Sequence, residues 1–169
     1  MARNIEIKAR VADLAALETT VADLADSGPT PITQDDTFFD CGPGRLKLRD
    51  FLTEPASGEL IFYQRSDQSG PKASFYRRIA TDEPSGLRDV LAAAYGIRGR
   101  VEKNRTLYMV GRTRVHLDRV ARLGTFMELE VVLADDEAPS TGQAEARALM
   151  GRLGIEENAL CQGAYIDML

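Results

Sequence analysis

Two hydrophobic periods take turns along the chain. From Ala12 to Asp26, the residues Leu14, Leu17, Val21 and Leu24 recur at the spacing of one helix face, and Gly28-Pro29 follows as a stop. Glu83 to Tyr95 repeats the pattern with Leu87, Val90, Leu91 and Ala94 and ends at Gly96. A third helix is predicted from about Ser140 to Leu153, with Ser140 and Gln143 at capping-box spacing and Gly154 in the C′ position. The rest alternates with period two, as strands do. The predicted strands are Asn4–Arg10, Gln34–Asp40, Arg45–Phe51, Glu59–Ser66, Lys72–Ala80, Arg100–Val110, Arg112–Arg119 and Thr125–Leu133. Turn signals such as Gly42-Pro43-Gly44, Pro55-Ala56-Ser57-Gly58, Ser69-Gly70-Pro71 and Gly111 separate several of them by only a few residues. Such short connections favour antiparallel pairing over βαβ crossovers.

Each strand carries one apolar and one charged face. Asn4, Glu6 and Lys8 oppose Ile5 and Ile7; Arg45, Lys47 and Arg49 oppose Leu46 and Leu48. Lys72, Ser74, Tyr76 and Arg78 oppose Phe75 and Ile79, and Lys103 lies in phase with Arg105. Arg112, Arg114, His116 and Asp118 oppose Val115 and Leu117, and Glu128 and Glu130 oppose Met127, Leu129 and Val131. A sheet with one solvated face accounts for alternation of this kind. Three features point elsewhere. Bases repeat at i, i+2 on central strands, where like charges repel. The carboxylates Glu6, Asp118, Glu128 and Glu130 share the face of the bases. And about eight antiparallel strands suffice to close a barrel, which turns that face inward. An enclosed basic wall calls for an anion and enclosed carboxylates call for cations, so a polyphosphate with its metal satisfies both. The expected fold is therefore α+β, a closed antiparallel eight-stranded barrel with helices outside, residues 1–169 forming one domain.

Composition narrows the partners. The 169 residues are 44% hydrophobic, with 21 Lys and Arg against 26 Asp and Glu, giving a net charge of −5. An acidic chain of this kind is not expected to bind nucleic acid. Its longest apolar runs, such as Val131 to Ala134, fall far short of the ~20 residues of a membrane span, so no membrane partner is expected. The N-terminus alternates charge and apolarity at once, which predicts no secretory leader. Cys41 and Cys161 stand far apart with no companion ligands, which suits a reducing cytoplasm.

In order and spacing these residues resemble the CYTH superfamily, the triphosphate tunnel metalloenzymes, which include class IV adenylyl cyclases, thiamine triphosphatases and inorganic triphosphatases. Asn4-Ile5-Glu6-Ile7-Lys8 is similar to the family's ExExK strand. Leu46 to Arg49, Tyr63-Gln64-Arg65 and Lys72 to Tyr76 resemble its phosphate-binding strands. Lys103-Asn104-Arg105, Asp118 and Phe126 to Glu130 resemble the later basic and metal-binding strands, and Gly163 to Leu169 resembles the tail of class IV cyclase relatives. The resemblance implies catalytic roles for Lys8, Lys103 and Arg105. It implies substrate contacts from Lys47, Arg49, Arg65, Lys72, Arg78, Arg112 and Arg114. It further implies that Glu6, Asp118, Glu128 and Glu130 hold Mg²⁺ or Mn²⁺, hard ions suited to oxygen ligands.

The resemblance departs at Asn4, where the family usually has Glu. An amide oxygen brings no charge, which leaves the metal site weaker, shifted or reduced to one ion. His116, the only histidine, is read as a general base or as a hydrogen-bonded wall residue. Gly42-Pro43-Gly44-Arg45 lacks the GK[ST] of a Walker loop and reads as a turn. Tyr63 and Tyr76 suit either packing or stacking on a base, and nothing near Cys41 activates its thiol. The leading expectation is a nucleotide-binding lyase of the class IV adenylyl cyclase type, converting ATP to cyclic AMP and pyrophosphate. A triphosphatase acting on inorganic or organic triphosphate is the second reading, and a non-catalytic polyphosphate-binding module the third. A homodimer is the expected assembly by resemblance alone.

Overall fold

The computed structural model describes residues 2–65 and 70–169; the side chain of Arg65 and the end of the predicted fourth strand at Ser66 lie outside the described residues. The strands are β1 (Ala2–Arg10), β2 (Ser27–Phe39), β3 (Arg45–Asp50), β4 (Gly58–Arg65), β5 (Lys72–Thr81), β6 (Ile97–Val110), β7 (Thr113–Val120) and β8 (Gly124–Val132). Helix α1 (Leu14–Leu24) lies between β1 and β2, α2 (Pro84–Tyr95) between β5 and β6, and α3 (Pro139–Arg152) after β8. The strands close into an antiparallel barrel in the order β1-β5-β4-β3-β2-β6-β7-β8, with β8 returning to β1.

Closure is inside-out relative to a soluble sheet. Ile5, Ile7 and Ala9 of β1 point outward into a core with Leu14, Leu17 and Val21 of α1 and Ala146, Leu149 and Met150 of α3. Those helices are amphipathic, so their apolar stripes find the apolar strand phase and leave the charged phase to the barrel interior. The approach of α3 is close: a Cβ on Gly142 would lie 2.6 Å from Leu133 Cδ2 and 2.8 Å from Ile5 Cγ1. On the far side α2 places Leu91 on Phe39 and Leu48. Among the described residues no helix is long and apolar enough to cross a membrane.

Local signals were met in part. Asp13 caps α1 through its carboxylate to the Ala16 N–H at 3.0 Å, and Gly154 (φ 67°) follows α3 as expected. The capping box predicted at Ser140 does not form. Helix α3 starts one residue earlier, at Pro139, with Ala138 as its uncapped N-cap, because proline is preorganised for the first helical turn. Gly28-Pro29 does not stop α1, which has already ended at Leu24; it lies inside β2, whose exposed first half carries no alternation to reveal it.

After β8 the chain crosses α3 and returns to the barrel. A 3₁₀ turn at Tyr165–Met168 packs Tyr165 and Ile166 against Phe38, Val101, Val120 and Phe126 at one end of the barrel. Asp167 fastens it, bonding Arg45 of β3 at 2.8 Å and Arg98 of β6 at 2.6 Å.

Candidate active site

The barrel encloses a cavity of about 270 Å³. Seven cationic side chains border it (Lys8, Lys47, Arg49, Arg78, Lys103, Arg105 and Arg114), against the carboxylates of Glu6, Asp36, Glu59, Glu128 and Glu130. The interior is thus cationic in a protein whose net charge is −5. Register explains the convergence, since paired residues on antiparallel strands face the same side. Glu6 pairs with Glu130 and Lys8 with Glu128 across β1 and β8; Arg114 pairs with Glu130 and His116 with Glu128 across β7 and β8. Across β2 and β3, Asp36 pairs with Arg49.

Buried acids hold several of these cations. The Asp36 carboxylate accepts from Lys47 Nζ at 2.9 Å and from Arg49 Nε and Nη2 at 2.8 and 2.9 Å. Burial pushes Asp36 up, but Arg49 and Lys47 outweigh it and hold the carboxyl well below its usual range. Asp118 plays the same part deeper in the wall. Its oxygens accept from Arg105 Nε at 2.7 Å and Nη2 at 2.6 Å and from the Tyr165 hydroxyl at 2.9 Å, with Lys103 Nζ at 3.6 Å. Against the burial that raises it, Arg105 and Lys103 keep Asp118 at about 2. For Lys103, burial and the neighbouring Arg105 win, and its ammonium falls to about 7.

The tail forms the floor of the cavity at this end. Lys8 Nζ sits 3.8 Å from the centroid of the Tyr165 ring and donates to the Gly163 carbonyl at 3.2 Å, and Lys103 Nζ lies 5.0 Å from the same ring. Phe126 meets Tyr165 edge-on at 4.9 Å. The other end is open: Arg78, paired with Glu59 at 3.3 Å, is 59% exposed, and Ile32, Phe51 and Tyr76 supply apolar surface in the cavity wall.

Between these ends lies a cluster of metal-ligand type. One ligand atom each from His116, Glu128 and Glu130 falls within 4.8 Å of the others. Glu130 accepts from Arg114 Nε at 2.9 Å; Glu128 meets Arg105 at 2.5 Å and Lys8 at 3.3 Å. Burial raises Glu130, but the charges facing it, His116 when protonated, Arg114 and Arg105, hold it at about 2. Burial and Arg105 push His116 down, so its imidazole is neutral at neutral pH. The buried Nδ1 of His116 and Oδ1 of Asn4 have no hydrogen-bond partner among the described residues. Two anionic carboxylates with an orphaned imidazole nitrogen beside them fit a divalent cation.

Most of the expected residues meet here. Lys8, Lys47, Arg49, Arg78, Lys103, Arg105, Arg114, Glu6, Glu128 and Glu130 border the cavity. Lys72 is fully buried in the same strand phase, register-paired with Glu6. Two of the expected residues are placed elsewhere. Arg112 is not in the cavity: it sits in the turn before β7, out of strand phase, and binds Glu137 at 2.6 Å and Glu145 of α3 at 2.7 Å. Asp118 is not in the metal-ligand cluster, since it is fully buried behind the wall with its oxygens engaged by Arg105 and Tyr165. Asp36, Gln34 and Tyr165 were not picked from the sequence. The adjacent acids Asp35 and Asp36 break the alternation that marks a strand face, and Tyr165 reaches the site only through the folded tail.

A family model described as the CYTH domain matches residues 2–165. Among solved structures, protein PH1012 of Pyrococcus horikoshii superposes with a TM-score of 0.86 at 21% identity, covering 98% of this chain and 99% of that one. A proposed adenylate cyclase of Vibrio parahaemolyticus gives 0.79 at 17% identity, with 98% and 96% covered. A proposed Hippeastrum adenylyl cyclase, described as having a dominant triphosphatase activity, gives 0.65 at 16% identity, with 95% and 91% covered. No curated protein matches the chain in sequence.

Proposed function

The chain belongs to the CYTH domain family, and on that premise we propose that it is a metal-dependent enzyme that binds the triphosphate of a nucleotide inside the barrel and cleaves it. One observation carries the reading: a single cavity combines a cationic wall closed at one end by the tail, a carboxylate and imidazole cluster, and apolar lining from Ile32, Phe51 and Tyr76. A triphosphate chain entering terminal phosphate first meets Lys8, Lys103 and Arg105 at the floor. Lys47 and Arg49 lie along its side, and Ile32, Phe51 and Tyr76 remain for the organic group.

The residues divide the work by position. Guanidinium forks on Arg49 and Arg105 suit phosphate oxygens, and Asp36 and Asp118 fix their orientation before the ligand arrives. The tail packs an apolar cluster under the floor, so charge contacts there act at reduced dielectric. Glu128 and Glu130, with His116 and Glu6 beside them, are the residues that would hold a divalent cation. Bound there, a cation supplies charge neutralisation on the phosphate oxygens.

The leading chemistry is that of class IV adenylyl cyclases, in which the ribose 3′-hydroxyl attacks the α-phosphorus of ATP and pyrophosphate leaves. The apolar part of the cavity lining supports it, because inorganic triphosphate has no use for such a surface. Hydrolysis of the triphosphate is the second reading, favoured by the triphosphatase activity of the Hippeastrum relative. Incubation with ATP and Mn²⁺, followed by product analysis, separates the two. Cyclic AMP with pyrophosphate supports the first, and ADP with phosphate supports the second. No turnover of ATP or inorganic triphosphate with Mg²⁺ or Mn²⁺ contradicts both. We further propose a cytoplasmic location, on the strength of the two unpaired, widely spaced cysteines.

A further inference from the structure

We infer that His116 is itself a metal ligand, completing with Glu128 and Glu130 a mixed nitrogen and oxygen site that selects a transition-metal dication over Mg²⁺. The inference deepens the functional reading and rests on it for the role of the ion, though not for its binding.

Geometry carries it. His116 Nδ1 lies 3.9 Å from Glu128 Oε2 and 3.8 Å from Glu130 Oε1. Both separations are too long for hydrogen bonds. They fit within the span of two ligands that share one ion at about 2.1 Å each. The adjacent strands β7 and β8 fix the arrangement, pairing His116 with Glu128 and Arg114 with Glu130. Arg114 takes Glu130 Oε2, which leaves Oε1 as the oxygen nearer the imidazole.

A second observation is independent of the acids. His116 is 5% exposed, yet its Nδ1 has no hydrogen-bond partner among the described residues. A buried polar atom left in this way is costly, and a cation would take up its lone pair. Asn4, 2% exposed, presents an equally unpartnered Oδ1 on β1, where its strand neighbour Glu6 pairs with Glu130. The donor set is then two carboxylates and one imidazole, with Asn4 lining the same cavity. Mg²⁺ favours oxygen ligands and retains its waters, whereas imidazole suits the later first-row ions. The site should therefore rank Mn²⁺, Co²⁺ and Zn²⁺ above Mg²⁺.

Pulsed EPR of the Mn²⁺-loaded full chain, without triphosphate, tests this directly. A nitrogen directly bound to Mn²⁺ gives a ¹⁴N modulation, expected in the native protein and lost in His116→Gln. The same substitution should weaken Mn²⁺ binding by about tenfold or more and leave Mg²⁺ binding nearly unchanged. Bound Mn²⁺ without ¹⁴N modulation, or no stoichiometric Mn²⁺ binding, overturns the inference; the native spectrum stands whether or not the variant folds. Calorimetry with metal-free protein and inorganic triphosphate runs in parallel. Triphosphate binding with no ¹⁴N signal removes this inference alone. A ¹⁴N signal with neither triphosphate nor ATP binding keeps the metal site and removes the functional reading.

Discussion

Lys103 should take up a proton when a triphosphate binds. In the free protein, burial and Arg105 bring its ammonium down to about 7. At about pH 8 roughly a tenth of the molecules then carry that charge, by the usual titration relation. A polyanion placed against the cavity wall lifts the lysine back toward its ordinary value of 10.5. Binding at about pH 8 therefore consumes close to one proton at this residue, and affinity falls by up to about tenfold per pH unit above 7, roughly 1.4 kcal/mol. Titration calorimetry in buffers of different ionisation enthalpy reads the uptake. Comparison with Lys103→Met cancels protons exchanged by the ligand and by other groups. Equal uptake in the two proteins, or affinity independent of pH between about 7 and 9, refutes the reasoning. The sign for the free protein is opposite to that of a paired lysine. A depressed ammonium weakens folding fully below about 7, and the penalty is relieved as pH rises toward 10.5.

Three further outcomes follow from the packing. Asp118, held at about 2, contributes stability above the ordinary carboxyl range that is lost as pH falls from about 4 through 2; Asp118→Asn should flatten that acid limb. The same change strands Arg105 with only Glu128, at a cost of about 3 kcal/mol in urea denaturation at neutral pH. Gly142→Val meets Leu133 and Ile5 at the closest approach of α3, and should lower stability by about 1–3 kcal/mol with triphosphate affinity retained in the folded fraction. Asp167→Ala cuts the tail's links to Arg45 and Arg98, and should speed amide exchange in residues 163–169 while costing only about 1 kcal/mol of global stability.

Most of the strands were legible because alternation is a local property; the first half of β2, which is exposed and does not alternate, was not. Which face turns inward was not local. It followed from the repulsion among Lys47, Arg49, Lys103 and Arg105, which only closure around an anion, or acids in the wall, relieves. The structure shows acids in the wall already, and Asp36 is the one that sequence reasoning passed over. Its neighbour Asp35 ion-pairs with Arg100 and so belongs to the opposite strand phase, and the doublet hides both faces. Arg112 shows the reverse failure. Its spacing from Arg114 is right for a strand, but the turn at Gly111 interrupts the pleat, and Glu137 and Glu145 supply carboxylates that no local window contains. His116 was placed on the inner face correctly, but its orphaned nitrogen became visible only with Glu128 and Glu130 beside it.

The central claim is that the barrel interior is a triphosphate and metal site. A crystal structure of the protein soaked with a non-hydrolysable ATP analogue and Mn²⁺ tests it most directly. The prediction is an anomalous Mn²⁺ peak among His116, Glu128 and Glu130, with phosphates against Lys47, Arg49, Lys103 and Arg105. An analogue bound outside the barrel, or a cavity holding neither phosphate nor Mn²⁺ at saturating concentrations, would contradict it.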